Sequence, residues 1–383
     1  MVRRYLGGPA ILSPLASGLC LFLIYQQVFE PHTYSVAILY ALVMALLSQA
    51  LGARRWALYV LLLAALGFQL CYLTHELANG PQDATSSRDE ALEGTARALL
   101  QGRNAWSGVT PLGAQATTGP ASILLALPFV AVSGEVNGLS FLFWAAFFAM
   151  LLWFDLERRN DSFSLLTVLF MTGALGFQQT LGWSLDELYY PYLFFGLSYV
   201  CLRRGWFVAS GALLASTVLF RASYVFTVVA FVGWLVLAGP RTRREFVRLA
   251  AGGVAAILLV LTPFVVIGGQ EFMTLNAFTV AYGMSGANQW PPTNPIFGGL
   301  NFVAANVGPL WLLLVKLALI GGALTAVSRR LRAVDHPFWH IAVAGLLTYT
   351  VVWHPDQRGV DYALAVVLPA FMAIACAPRG NLA

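Results

Sequence analysis

The sequence predicts an all-α, polytopic membrane protein with about 12 transmembrane helices and with juxtamembrane helices at its outer face. Of the 383 residues, 59% are hydrophobic and only 10% are charged, whereas a soluble domain has roughly 25% charged residues. The mean hydropathy is +0.73. Long apolar runs alternate with short turns that are rich in arginine. The whole chain is therefore predicted to form a single transmembrane domain, residues 1–383.

The predicted spans each have roughly the 17–25 residues that a bilayer crossing needs. They are residues 10–28, 34–52, 56–73, 136–156, 162–181, 187–202, 206–223, 225–240, 246–268, 306–328, 337–353 and 360–377. The first span follows two arginines, as a signal peptide does, but no small-residue cleavage site follows it. We interpret it as an uncleaved span.

Arginines predict the orientation, because the short cytoplasmic loops of membrane proteins are enriched in arginine and lysine. If the N-terminus is cytoplasmic, the predicted spans leave every arginine cluster in the cytoplasm. The clusters are Arg3/Arg4, Arg54/Arg55, Arg158/Arg159, Arg203/Arg204, Arg241 to Arg248 and Arg329 to Arg332. We expect a multi-pass protein of the plasma (inner) membrane with both termini in the cytoplasm and its active site on the periplasmic or extracellular side.

Residues 119–134 are apolar enough to resemble a further span. Counting them as a span would move every later arginine cluster to the outer side, against the orientation rule. The segment is also short and contains Pro128. We predict a juxtamembrane or re-entrant helix at the outer face, which requires a protein-lined cavity around it.

Of the 17 acidic residues, 12 fall on the predicted outer side, where the longest loops are 74–135, 269–305 and 353–360. Long loops in compact proteins are usually functional or disordered. The predicted cytoplasmic loops are short, so a cytosolic substrate such as ATP is not expected. The basic residues lie at helix ends, where orientation requires them, so nucleic-acid binding is not expected. The sequence contains no CxxC motif. It also has no nucleotide-binding, esterase or zinc-protease motif at a position where that motif could form a site.

Asp89 and Glu90 form an acidic pair in the first outer loop, just ahead of a predicted helix whose apolar side carries Ala96, Leu99 and Leu100. Two interpretations stay open. Acids at the start of a helix are favoured by its dipole. Alternatively, the pair presents a carboxylate to a substrate hydroxyl, as a general base does.

Asp186 and Glu187 form a second pair at a predicted outer turn, followed by aromatic residues that include Tyr190. Charges this close to hydrocarbon usually face a cavity or a partner. The alternative is an interfacial turn with an aromatic belt.

Isolated cations complete the candidate residues. Arg221 lies near the outer end of a predicted span, where either a phosphate or one of the nearby acids is a suitable partner. Lys316, the only lysine, lies in the middle of a predicted span. It contacts either a lipid-linked anion or a neighbouring helix. His354 and Arg358 in the last outer loop would suit a phosphate or pyrophosphate, and Tyr362 follows them.

The order of these segments resembles that of the membrane glycosyltransferases of the GT-C fold. In that family an acidic pair precedes a helix of the form A-x-x-L-L-x-G-x-x-P-Y; here Asp89 and Glu90 precede ARALLQGRNAW. A Pro-containing segment follows, and TTGPASILLALP is similar to it through Pro120. The stretch from Asp186 to Arg221 resembles the family's next block, and RGVDYALAVVLP resembles its C-terminal Arg-Tyr pattern.

The resemblance implies an inverting enzyme that moves a hexosyl or pentosyl group from a polyprenyl-phosphate donor to a glycan, lipid or protein acceptor at the outer membrane face, in cell-envelope biogenesis. Asp89 would be the general base and Glu90 would position it. The second pair and Tyr190 would orient donor or acceptor. The remaining residues would bind the donor phosphate; they are Arg221, Arg358, His354, Lys316 and Tyr362.

The resemblance implies no obligatory cofactor. If Mg²⁺ or Mn²⁺ takes part, the candidate ligands are Asp89, Glu90 and Asp186. The expected partners are the lipid-linked donor, the acceptor and membrane lipids. Three other functions stay open: a flippase or transporter of lipid-linked glycans, an enzyme related to O-antigen polymerases and ligases, and a non-catalytic subunit in envelope biogenesis.

Overall fold

The structure is a computed structural model. It describes residues 88–108, 116, 118–136, 138–139, 142, 145–146, 149, 186–220, 224–238, 242–274, 314, 318, 320–322, 325–326 and 341. Within these residues all regular secondary structure is helical, which confirms the all-α part of the predicted class; the number of spans, about 12, stays a prediction. Five predicted spans lie wholly outside the described residues: 10–28, 34–52, 56–73, 162–181 and 360–377. Most residues of three others, 136–156, 306–328 and 337–353, also lie outside them.

The described part of the chain contains helices α1 (Arg88–Leu100), α2 (Pro120–Ser133), α3 (Asp186–Arg203), α4 (Phe207–Phe220), α5 (Val225–Ala238) and α6 (Arg243–Thr274). Helices α3 to α6 coincide with four predicted spans to within a few residues. Helix α2 coincides with the predicted segment 119–134. Its 14 residues extend about 21 Å at 1.5 Å per residue, less than the roughly 30 Å of a hydrocarbon core, and α4 and α5 also have 14 residues each. Length therefore does not distinguish α2 from these two predicted spans.

The described residues belong to two compact units, one within Met1–Glu93 and Leu125–Leu193, the other within Gly94–Leu124 and Phe194–Ala383. The first unit contains the starts of α1 and α3 and most of α2. The second contains α4, α5 and α6 together with the remainder of α1 and α3 and the start of α2. The packing that follows is that of the second unit.

Helix α6 is the one helix among the described residues that is long and apolar enough to cross a membrane, from Arg243 to Phe272. Its mean hydropathy reaches 2.5 and most of that segment is exposed. Leu259 and Val266 are 76% and 75% exposed. A continuous exposed apolar face is unusual on a soluble domain and typical of a surface that contacts lipid or another protein.

Local chemistry determines where these helices begin and end. Gly205, with a φ of 76°, follows α3 in a left-handed conformation. The next amide, of Trp206, donates to the carbonyl of Cys201 at 2.8 Å, which closes a Schellman turn. Helix α6 begins with a capping box: the amide of Thr242 donates to the Glu245 carboxylate at 2.8 Å, and the Glu245 amide donates back to the Thr242 hydroxyl at 3.4 Å.

Helices α3 and α4 form an antiparallel hairpin around the turn at Gly205. The Ser198 hydroxyl donates to the backbone carbonyl of Ser210 at 2.8 Å, and both side chains are buried. Further from the turn, the Phe194 and Phe220 rings meet edge to face with centroids 4.6 Å apart. Helix α3 therefore begins at the end of the hairpin that lies away from the arginine turn.

Helices α4 and α6 approach so closely that their backbones touch. A Cβ at Gly211 would collide with the carbonyl of Leu249, and a Cβ at Gly252 would collide with the carbonyl of Val208. Only glycine permits this approach, which is the small-residue packing typical of membrane helices. Both contacts lie in the early turns of their helices, so α4 and α6 begin at the same end of the pair.

Basic residues gather at this end. Arg203 and Arg204 precede α4, and three more arginines lie in the first turns of α6; all five are exposed. The Arg204 guanidinium lies 5.7 Å from the ring centroid of exposed Trp206. Arginine beside an exposed tryptophan is typical of a membrane interface. Both arginine clusters therefore lie at one end of the α4 and α6 pair. That this end faces the cytoplasm stays a prediction.

The glycine contact gives a first prediction. Gly252→Ala places a methyl group against the Val208 carbonyl, so we expect it to lower the free energy of unfolding by about 1–3 kcal/mol, the usual cost of overpacking. Gly253→Ala is the matched control. Its Cβ would lie 3.5 Å from the Gly211 oxygen and 3.7 Å from the Ala215 Cβ, which are ordinary contacts.

Denaturant unfolding of the purified protein in detergent checks this prediction. Alanine favours a helix over glycine by roughly 1 kcal/mol, so Gly253→Ala should leave stability unchanged or raise it. Equal loss of stability in the two variants would contradict the close approach.

Candidate functional site

The first acidic pair lies in the first turn of α1, since the helix begins at Arg88. The prediction placed Asp89 and Glu90 just ahead of the helix, so the helix starts slightly earlier than expected. Their position fits the favourable interaction of carboxylates with a helix N-terminus. The predicted apolar side was partly wrong: Ala96 and Leu99 are buried, but Leu100 is 49% exposed.

The buried face of α1 explains that error. Leu92, Thr95, Ala96 and Leu99 are all at most 5% exposed, and their spacing of three and four residues is that of one helix face. Leu100 is rotated about 100° around the helix axis from Leu99, which places it outside this buried stripe. The face is therefore formed partly by a threonine rather than by the last leucine.

Glu90 is partly buried, and its Oε2 atom is buried without a hydrogen-bond partner among the described residues. A buried polar atom without a partner is costly. One turn later, Glu93 Oε1 accepts a hydrogen bond from the backbone amide of Val136 at 3.1 Å. The two glutamates of α1 therefore differ. A carboxylate oxygen of Glu93 accepts a backbone hydrogen bond, whereas the Oε2 atom of Glu90 accepts none from the described residues.

Trp106 fixes the loop that follows α1. Helix α1 ends at Leu100 in a Schellman turn, in which Gly102 has a φ of 69°. Trp106 is only 1% exposed, and its Nε1 donates to the carbonyl of Thr118 at 3.0 Å. Its ring centroid lies 5.0 Å from that of Phe264 on α6 and 6.1 Å from that of Phe272. The loop is therefore packed against the later part of α6.

The Pro-containing segment meets the end of α4. Thr118 is bound to α1 as well, because its hydroxyl lies 3.2 Å from that of Thr95, and both side chains are buried. A Cβ at Gly119 would collide with the carbonyl oxygens of Leu219 and Phe220. Phe220 is the last residue of α4 and directly precedes Arg221 in the sequence.

These contacts lie far from the arginine end of the helix pair. From Gly252 to Gly268 is about 24 Å along α6 at 1.5 Å per residue. The loop at Trp106 packs near Phe264 and Gly268, and Gly119 packs at the last residue of α4. Three segments that resemble the GT-C pattern (102–106, 118–120 and the end of α4) therefore meet at the end of the pair opposite the arginines.

The second acidic pair lies in the first turn of α3, because the helix begins at Asp186. Glu187 follows it, and Arg203 is in the last turn, so the acids and the basic turn are about 25 Å apart along one helix. Tyr190 is fully buried. Full burial is typical of a packing residue, and its predicted role in orienting a substrate stays a prediction.

The remaining predicted residues lie outside the described residues. They are Arg221, Lys316, His354, Arg358 and Tyr362. Among the residues that the structure describes, no group of three His, Cys, Asp or Glu side chains could hold a metal ion. The candidate metal ligands Asp89, Glu90 and Asp186 stay a prediction.

Comparisons with protein-family models, with curated proteins and with solved structures give no match for this chain.

Sequence reasoning missed two features of this region. Asn104 was not singled out, although an asparagine two residues before a tryptophan and just after a helix-ending glycine is a signal for an Asx turn. The Thr95–Thr118 pair was missed as well, since no local pattern relates threonines 23 residues apart.

Proposed function

We propose that this protein is an integral-membrane glycosyltransferase that moves a sugar from a polyprenyl-phosphate donor to a glycan, lipid or protein acceptor at the outer face of the plasma membrane. The observation that carries the proposal is the meeting of three motif segments at one end of α4 and α6. Trp106 bonds to Thr118, and the adjacent Gly119 contacts Phe220, just before Arg221. The segments at Trp106 and Gly119 are therefore close in space to the end of α4 at Phe220, although both are more than 100 residues away from it in the chain.

The proposed chemistry follows from residue types and positions. Asp89, in the first turn of α1, would take the proton from the acceptor hydroxyl as it attacks the anomeric carbon. Glu90 would position Asp89 or the acceptor, and its unpaired Oε2 supports a role beyond packing. The carbon–oxygen bond to the lipid phosphate breaks as the new glycosidic bond forms, and the phosphate leaves with the electron pair.

The departing phosphate requires a cation. Arg221 is the candidate, because a guanidinium can hold two phosphate oxygens at once. Stabilising charge that develops on a leaving group is often the largest catalytic effect. Asp186, Glu187 and Tyr190 would orient donor or acceptor. Arg358, His354, Lys316 and Tyr362 are further candidates for the phosphate.

A transfer assay tests the proposal. Purified protein in lipid nanodiscs is incubated with a panel of polyprenyl-phosphate sugars and with membrane extracts as acceptors, and sugar transfer is followed by mass spectrometry. At least one donor should lose its sugar in the presence of an acceptor. A protein that is folded, by its unfolding profile, and inactive with every donor would contradict the proposal.

Arg221→Ala supplies the next prediction. Loss of a charge-assisted hydrogen bond typically costs about 1.5–3 kcal/mol, so we expect donor affinity to fall roughly 10- to 150-fold with little change in protein yield. Arg248→Ala, at the other end of the helix pair, is the matched control and should bind donor normally. If Arg221→Ala lowers only the yield of folded protein, the arginine belongs to a structural ion pair.

The proposed orientation in the membrane gives a separate prediction, because the two ends of the helix pair should face opposite sides. In a background without the native cysteines, Arg103→Cys should react with a membrane-impermeant maleimide applied outside intact cells. Arg244→Cys should react only after the membrane is permeabilised. Both positions are exposed, so neither result depends on opening the fold. Labelling of both positions from the same side would exclude the proposed orientation.

A further inference from the structure

Asn104 has a buried side-chain amide in which the oxygen has a hydrogen-bond partner and the nitrogen has none among the described residues. The side chain is 6% exposed. Its Oδ1 atom accepts a hydrogen bond from the backbone amide of Trp106 at 3.1 Å. Because a backbone N–H can only donate, this bond determines which end of the amide is the oxygen. The other end, Nδ2, is buried and has no hydrogen-bond partner within the described part of the chain.

The unused amide nitrogen lies beside an irregular point of α6. A Cβ at Gly268 would be 3.8 Å from the Asn104 Cγ and 3.9 Å from its Nδ2, so the amide faces bare helix backbone. The next residue, Gly269, has a φ of 51° and a ψ of −127°, outside the helical region. Helix α6 is therefore kinked where the Asn104 amide meets it.

Three general arguments associate such a place with a ligand. Irregular backbone at membrane depth is tolerated where it is buried in protein or lines a cavity. In transporters, interrupted helices form the sites that bind polar substrates. A buried N–H donor without an acceptor is also unfavourable, and a ligand oxygen would relieve it.

The residues around Asn104 indicate which class of ligand would bind there. Trp106, two residues after Asn104, bonds to Thr118; Gly119 touches Phe220, and Arg221 is next in the sequence. We infer that the side-chain amide of Asn104 donates a hydrogen bond to an oxygen atom of the bound lipid-linked donor, at the kink of α6. This inference rests on the proposed function. The oxygen belongs either to the phosphate or to a hydroxyl of the sugar.

Two substitutions separate these sources. Asn104→Ser keeps an oxygen that can accept from the Trp106 amide and removes the amide donor. Asn104→Asp also keeps an acceptor, but its carboxylate repels a phosphate and can accept a hydrogen bond from a sugar hydroxyl. Trp106→Phe is the control for the loop, because it removes the bond to Thr118 and leaves the Asn104 side chain in place.

The measurement is the affinity of the full-length protein in nanodiscs for farnesyl phosphate and for farnesyl phosphates that carry a sugar. If the phosphate is the partner, Asn104→Ser should bind both kinds of probe about 10-fold more weakly, equivalent to about 1.4 kcal/mol, and Asn104→Asp more weakly still. If a sugar hydroxyl is the partner, farnesyl phosphate binds all variants equally. Asn104→Asp then binds the sugar-bearing probes more tightly than Asn104→Ser.

The remaining outcomes count against the inference. Unchanged affinity of both Asn104 variants for every probe overturns it while the proposed function stands. A loss in Trp106→Phe as large as that in Asn104→Ser also overturns it, since the effect would then come from the loop. If the wild-type protein binds none of the probes, the proposed function fails and the inference fails with it.

Discussion

Asp89→Asn should lower the rate of sugar transfer by about 100- to 10,000-fold, the range that general base catalysis typically contributes. Asparagine has nearly the same shape as aspartate but cannot take a proton from the acceptor hydroxyl. Donor affinity should change little, because the proposed role of Asp89 begins only when the acceptor oxygen attacks. The expected result is thus a loss of turnover with near-normal binding of the donor.

Glu93→Gln is the matched control for this prediction. Glu93 is on the same helix and its Oε1 accepts from the Val136 amide, which a glutamine oxygen can do equally well. We expect near wild-type transfer in this variant, measured with the donor that the wild-type protein uses. Unchanged turnover in Asp89→Asn would remove the proposed base, and equal losses in the two variants would indicate a general need for negative charge on α1.

Trp106→Ala should lower the free energy of unfolding by about 3–5 kcal/mol, the usual cost of truncating a buried large aromatic side chain. The ring is 1% exposed and packs on Phe264 and Phe272, and its Nε1 bonds to Thr118. Truncation would leave a cavity and an unpaired buried carbonyl. Chemical unfolding in detergent, followed by far-ultraviolet circular dichroism, measures the loss.

Trp206→Ala is the control, because Trp206 is 57% exposed and its ring lies 5.7 Å from the Arg204 guanidinium. A surface substitution of this kind usually changes stability by about 0.5 kcal/mol or less, and loss of an exposed cation–π contact by about 0.5–1 kcal/mol. Trp106→Phe should lie between the two alanine variants. If Trp106→Ala is as mild as Trp206→Ala, the loop is not packed on α6 as described.

The helices of the described region could be predicted because their signals are local. The turn at Arg203–Gly205 and the capping residues at Thr242 and Glu245 determine where α3 ends and α6 begins. The predicted span 246–268 stopped at the place where α6 is kinked, since Gly268 and Gly269 interrupt the apolar pattern. The helix itself continues to Thr274.

The packing could not be predicted in the same way. No sequence pattern indicates that Trp106 reaches Thr118 and Phe264, or that Gly119 touches the last carbonyls of α4, because these contacts depend on the relative placement of whole helices. The unpaired amide of Asn104 is equally invisible in the sequence. An asparagine in a turn is ordinary, and only the burial of its Nδ2 beside Gly268 distinguishes it.

The close approach of Gly211 to Leu249 and of Gly252 to Val208 also limits how the helix pair can move. Where backbones touch, two helices cannot slide or separate without losing that fit, so the contact acts as a pivot near the arginine end. Any rocking of α4 against α6 must then be largest at the far end, beside Gly119 and Trp106. If the proposed function is correct, the isoprenoid tail of the donor would enter from the bilayer at that end, beside the residues proposed to hold its headgroup.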